Sequence, residues 1–163
     1  MRNFIRVFLI AMVPLIELRG AIPVAYTIKA TIDPEFNLVW SYIVIAIGNM
    51  LPVPFIFFFA RKVLEWGKDK KVIGRFFTWC LEKGHKGGEK LQSKAGRGLY
   101  VALLLFVGIP LPGTGAWTGT LAASFLDMDF KKSMLAVIGG VALAGIIVGL
   151  LCTLGFGAIV GVS

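Results

Sequence analysis

The sequence predicts an all-α integral membrane fold: an inverted repeat of a re-entrant helical hairpin followed by a transmembrane helix, with an amphipathic interfacial helix between the halves. Three observations predict it. First, 57% of the 163 residues are hydrophobic and 20 are glycine, with a mean hydropathy of +0.83. A single soluble core of this size cannot hide that much apolar surface. Second, two apolar stretches, Val13-PLIELRGAIP-Val24 and Gly108-IPLPGTGAWTGT-Leu121, are each interrupted at the centre by proline, glycine and polar residues. Third, each interrupted stretch leads into an unbroken apolar run.

Residues 4–28 form the first broken segment. A half-helix of about 10 residues rises about 15 Å, half of a hydrocarbon core of about 30 Å, so its arms can dip in and turn back. The apolar run after Arg6 ends in Glu17-Leu-Arg19 with no small-residue cleavage site following, so the start is expected to stay in the mature protein. Residues 29–37 make a polar loop, and residues 38–60 run 23 long without a formal charge, enough to span. Pro52 and Pro54 should kink this helix beside Asn49.

Residues 61–98 hold 11 Lys/Arg and 4 Asp/Glu, so this one stretch supplies most of the net charge of +8. Concentrated charge of this kind reads as a cytoplasmic loop and not as a nucleic-acid surface. Within it Val72, Ile73, Phe76, Phe77, Cys80 and Leu81 recur at helical spacing between Lys71, Arg75, Thr78 and Glu82. That pattern predicts an amphipathic helix at the membrane surface with Trp66 and Trp79 as anchors, or a solvated connector packed on the bundle. Residues 99–126 form the second broken segment, Asp127 to Lys132 a polar turn, and residues 134–162 a 29-residue glycine-rich helix. Ala136, Gly140 and Ala144 lie four apart in it, as do Gly145 and Gly149, which permits close helix contact within one chain or between copies.

The halves therefore repeat: repeat one is 4–60, the connector 61–98, repeat two 99–162, all within one membrane domain, 1–163. Aligning Pro14-Leu15 with Pro110-Leu111 and Gly20-Ala21 with Gly115-Ala116 takes a one-residue gap and leaves the following loop four residues longer in the first half. Counting charges places 13 basic residues inside against 3 outside whether the broken segments are re-entrant or spanning, so charge alone does not choose. Re-entrant hairpins follow instead from Glu17, Arg19 and the Pro-Gly turns, which fall where a crossing helix would be most apolar.

Glu17 and Arg19 are the formal charges inside the interrupted stretches Val13–Val24 and Gly108–Leu121, and a charge at the bilayer centre costs several kcal/mol unless paired or wet. They can converge at a turn as an ion pair that locks it, or act on a ligand, Glu17 as a proton-exchangeable carboxylate and Arg19 as an anion receptor. In the second segment Pro110, Pro112 and Gly113 close one half-helix. Thr114, Gly115, Trp117, Thr118 and Thr120 open the next, whose free N–H groups suit an anion or merely accompany a sharp buried turn. Asn49 is expected to satisfy backbone groups of the hairpins. Cys80 and Cys152 lack metal or disulfide spacing, His85 stands alone, and no nucleophile-base pair or phosphate loop is present. No metal, cofactor, nucleic-acid partner or enzyme activity is expected.

The segments ELRGAIP (Glu17 to Pro23) and PLPGTGAWTG (Pro110 to Gly119) resemble the small multi-drug export protein family, over essentially the whole chain. Through its paired hairpins that family resembles the wider DedA, or VTT, superfamily. The resemblance implies two oppositely inserted hairpins around a polar centre, proton or potential dependence, and movement of lipids or lipid-linked phosphates. By position Glu17 is similar to the acidic residue of the superfamily's first hairpin. The arginines of its second hairpin have no counterpart in PLPGTGAWTG, and Arg19 is the substitute available. The expectation is an ion- or proton-coupled transporter of an amphiphilic or anionic substrate such as a lipid phosphate, in a prokaryotic plasma membrane with loop 61–98 cytoplasmic. Its partners would be membrane lipids, that substrate, the coupling ion and, through the last helix, further copies of the chain. Two alternatives are export of cationic drugs and a non-transporting membrane scaffold.

Overall fold

The computed structural model describes residues 1–14, 16–68, 78, 82, 96–111 and 113–160, and the secondary structure among them is helical. Helix α1 (Arg2–Met12) ends where Val13 turns extended, at φ −71° and ψ 129°, because a residue preceding proline is pushed out of the helical region. Helix α2 (Glu17–Thr31) carries Pro23 inside it, and proline cannot donate to the carbonyl of Arg19 one turn back. Helix α3 (Leu38–Met50) starts at Asn37, whose side chain accepts the Trp40 N–H at 3.1 Å, as an N-cap should. Leu51 is helical and joins α3 to α4 (Pro52–Lys68).

The second half repeats these devices. Helix α5 (Gly98–Gly108) stops at Ile109, extended before Pro110 at φ −79° and ψ 120°. Helix α6 (Ala116–Phe125) follows two left-handed glycines, Gly113 at φ +80° and Gly115 at φ +150°, values a side chain would resist. Helix α7 (Phe130–Val160) is entered through Asp129, whose Oδ1 accepts the Lys132 N–H at 2.9 Å. It begins four residues before the apolar run, because this cap and not hydropathy sets its start. Leu38–Ala60 and Phe130–Gly155 are long and apolar enough to cross a membrane. The proposed amphipathic helix around Val72 to Leu81 and its anchor Trp79 lie, apart from Thr78, outside the described residues.

Side-chain contacts fix how the helices run. Asn3 Nδ2 donates to Asp33 Oδ2 at 3.2 Å and the Phe4 ring lies 4.7 Å from that of Phe36, so α1 starts beside the loop that ends α2. Further along, a Cβ on Gly48 would come within 2.7 Å of Phe8 O, so α1 and α3 run side by side in one direction and α2 returns. In the second half the Lys132 ammonium sits 5.8 Å over the Tyr100 ring, and a Cβ on Gly140 would lie 2.7 Å from Leu104 O. Helix α5 thus runs alongside α7, and α6 returns. The halves interlock through the returning arms, α2 on α7 and α6 on α4. Tyr26 Oη donates to Gly149 O at 3.5 Å, and Ser124 Oγ to Phe57 O at 2.7 Å.

The buried positions at these crossings include Ala11, Ala21, Ala25, Ala116, Ala123 and Ala144, small residues that let backbones approach. The outer faces are the reverse: Trp40, Phe55, Phe59, Leu150 and Leu154 are each at least 59% exposed, a surface suited to hydrocarbon and not to water. The tight crossings make a prediction. Gly48→Leu and Gly140→Leu should each lower thermal stability in detergent by about 1–3 kcal/mol through overpacking. Gly145→Ala, whose Cβ meets nothing within 4 Å, should leave the melting temperature unchanged or raise it.

Candidate functional site

The two sequence breaks meet. Glu17, at φ +51°, is the first residue of α2 and is 3% exposed. Its Oε2 accepts the Ala116 N–H at 3.1 Å and its Oε1 the Trp117 N–H at 3.0 Å. Both donors belong to the first turn of α6, whose leading N–H groups have no partner within their own helix. A carboxylate contributed by the first broken segment therefore caps the helix of the second. The contact explains Gly115 as well, since a Cβ there would collide with the Glu17 carboxylate.

Arg19 serves the opposite end of the same break. Its Nη2 donates to Val107 O and Ile109 O, each at 3.2 Å, and to Thr114 Oγ1 at 2.9 Å. Its Nη1 donates to Leu111 O at 2.9 Å and to Thr114 O. Val107 lies in the last turn of α5, so the guanidinium gathers carbonyls that the helix leaves over. The Thr114 hydroxyl, while accepting from Arg19, has its hydrogen within reach of Ile109 O and Leu111 O, both at 2.9 Å. Negative charge thus meets the positive dipole end of α6 and positive charge the negative end of α5, each favourable by about 0.3–1 kcal/mol and by up to ~2 in partly buried geometry.

This arrangement corrects one expectation. Among the described residues Glu17 and Arg19 do not pair with each other; each crosses to the other broken segment. The physical reason is that helix ends removed from water leave backbone groups unpaired at a cost comparable to a lost hydrogen bond, and a charged partner relieves several at once. A second consequence concerns anions. The N-terminus of α6 holds Glu17, and four of the five polar atoms that accept from Arg19 are carbonyl oxygens, so that N-terminus and both Nη groups are engaged from within the chain, while Arg19 Nε is buried without a hydrogen-bond partner.

The other expected residues fall around this junction. Thr118 Oγ1 donates weakly to Gly115 O at 3.4 Å, the residue that caps its own helix. The Trp117 indole Nε1 is buried without a hydrogen-bond partner, Gly113 forms the exposed tip of the turn, and Pro112 lies outside the described residues. Asn49 is fully buried with neither amide atom bonded. Its place follows from register: Phe57 meets Ser124 and Val53 meets Thr120 around one small void. One turn earlier on both helices brings Asn49 level with Ala116, whose N–H Glu17 holds.

Sequence reading placed Thr120 at the opening of α6 but missed that it is 1% exposed with an unbonded hydroxyl, one turn after Ala116 on the same face. It also missed the Tyr26 and Tyr42 hydroxyls, 3.5 Å apart; tyrosine inside an apolar half-helix was the available signal. The junction predicts an order of damage. Glu17→Ala should cost about 1–2 kcal/mol of thermal stability in detergent, as loss of a helix cap does. Glu17→Gln should cost less, and Arg19→Lys should resemble Arg19→Ala because an ammonium lacks the planar fork.

No curated protein and no solved structure matches the chain. A family profile described as "Putative small multi-drug export protein" matches residues 17–147, a range that begins at Glu17 and takes in the returning arm of the first broken segment and the whole of the second. With most of its length covered and two span-length apolar helices, the chain is a membrane protein that belongs to the small multi-drug export protein family.

Proposed function

We propose that this protein is a proton-coupled exporter of amphiphilic compounds, with Glu17 as the proton-exchangeable group at the junction of its two halves. The observation that carries the reading is the Glu17 carboxylate of one broken segment capping the helix of the other. Supporting it, each broken segment starts and ends at the same end of the span it packs on, beside Asp33 and Phe36 in one case and Lys132 in the other. In this reading they are re-entrant hairpins from opposite leaflets, related as inverted repeats, with substrate handled near the midplane. Loop 61–98 is cytoplasmic in this orientation.

The chemistry follows from one charge. Ionised Glu17 complements the dipole of α6 and accepts two N–H bonds; protonated, it loses the charge-assisted part of both. Proton uptake then loosens the contact between the hairpin tips, and deprotonation restores it. A cationic amphiphile competes with the proton for the same carboxylate, which is the logic of exchange. An anionic lipid headgroup fits less well, because it would have to displace Glu17 from α6 and would find Arg19 already bound to carbonyls.

Purified protein in liposomes with an imposed pH gradient tests this. The parent should move ethidium, an amphiphilic cation, faster than a labelled lipid phosphate, and Glu17→Gln should remove the dependence on the gradient. If Glu17→Gln matches the parent, the proton role is wrong; if neither probe moves, the scaffold reading replaces export. Topology has its own check: cysteines replacing Asp33 and Lys131 should label from opposite sides of the membrane, and labelling from the same side would overturn the re-entrant arrangement.

A further inference from the structure

The two crossings that lock the halves correspond, yet one is solid and the other hollow. Phe57 stands to Ser124 as Gly149 stands to Tyr26. Four residues earlier on each span are Val53 and Gly145, and one constant register shift also relates Met134 to Tyr42 and Val137 to Ile45. In the α4–α6 crossing Val53, Phe57, Thr120, Met134 and Val137 close around a void with no room for water. Phe130 seals it, its ring 5.2 Å from that of Phe57. In the α2–α7 crossing the corresponding positions surround a cavity of about 500 Å³.

The difference is written in the side chains. Where the solid crossing has valine and phenylalanine, the hollow one has two glycines. A Cβ on Gly145 would meet nothing within 4 Å, whereas one on Gly149 would collide with the Tyr42 side chain, so the open space lies at Gly145. The fold thus has a demonstrated way to fill this space and leaves it open, although an unfilled apolar cavity forfeits packing contacts. The cavity lies in the size range of ligand pockets. Its wall is apolar except for the hydroxyls of Tyr26, Tyr42 and Thr153 at one end. The other end is Leu18, next to Glu17. Ile43, Ile146 and Leu150 at its rim are exposed on the outer face, so the mouth opens sideways between two span-length helices.

We propose that this groove is a binding site for the alkyl chain of a single-chain cationic amphiphile entering laterally from the bilayer. It extends along α7 from Val141 to Thr153, about 18 Å at helical rise, long and narrow as an extended chain requires. The ligand's charge rests on the exporter reading above; the groove itself does not. The α4–α6 crossing, filled by its own side chains, takes no such chain.

The test uses a dodecyl-trimethylammonium carrying a photoreactive diazirine at its chain end, cross-linked to the full chain in lipid nanodiscs with no gradient applied and mapped by mass spectrometry. Label should concentrate on the α2 and α7 segments lining the groove. Gly145→Leu should cut it by about tenfold, the factor produced by about 1.4 kcal/mol of lost contact. Gly155→Leu, also with open space around its Cβ but outside the groove, should leave it unchanged. Equal labelling of the parent and Gly145→Leu, with both monodisperse and helical, overturns the proposal, as does label spread evenly over lipid-facing residues such as Phe55 and Phe59. Concentrated, Gly145-sensitive label without gradient-driven ethidium movement would retain the site and remove the exporter.

Discussion

A helix interrupted away from water leaves N–H groups on one side of the gap and carbonyls on the other, and neither set can be left bare at low dielectric. This structure resolves the gap after α5 with two side chains from elsewhere in the sequence. Glu17 takes the N–H groups of Ala116 and Trp117, and Arg19 takes the carbonyls of Val107, Ile109, Leu111 and Thr114. Two residues of opposite charge, two positions apart, bracket both ends of one break. The positive φ of Glu17 belongs to the same solution, since a cost in backbone conformation is tolerated where surroundings over-determine it.

The arrangement makes the halves interdependent. The second broken segment is completed by the first, whose two charges find their partners there, and the interlock of α2 with α7 and of α6 with α4 accompanies the meeting of the two breaks. Charge compensation at the junction is achieved with dipoles and not with a direct ion pair. Removing one charge therefore strands backbone donors or acceptors instead of a lone counter-charge, so loss of the Glu17 side chain is expected to be felt in the helix across the gap. Asn49 and Thr120, buried with unbonded polar atoms, lie at or beside that level and give the centre polar capacity beyond the two charges. The hollow crossing adds an apolar compartment that ends one residue from Glu17.

Much of this was legible in the sequence, and the reasons are specific. Pro14 and Pro110 announced both breaks because proline dictates the conformation of its predecessor. Residues 38–60 announced a span because nothing charged interrupts them. Glu17 and Arg19 stood out because their cost in hydrocarbon requires a reason. What they bind was not legible, for the partners are backbone groups of Ala116, Trp117 and Val107, which carry no identity in a sequence. Gly115 read as a turn residue, while its lack of a Cβ also makes room for a carboxylate from about a hundred positions away. The groove was invisible for a related reason. Gly145 and Gly149 look like a small-residue contact stripe, and only the filled counterpart at Val53 and Phe57 reveals that one of them faces open space.

The central claim is that the Glu17 carboxylate holds the first turn of α6. Amide hydrogen exchange at Ala116 and Trp117, measured in nanodiscs for the parent, Glu17→Ala and Arg19→Ala, tests it most directly. The account predicts slow exchange at both amides in the parent, a selective rise at these two in Glu17→Ala, and a smaller change there in Arg19→Ala. Exchange at Ala116 and Trp117 that stays equally slow without the carboxylate would contradict it.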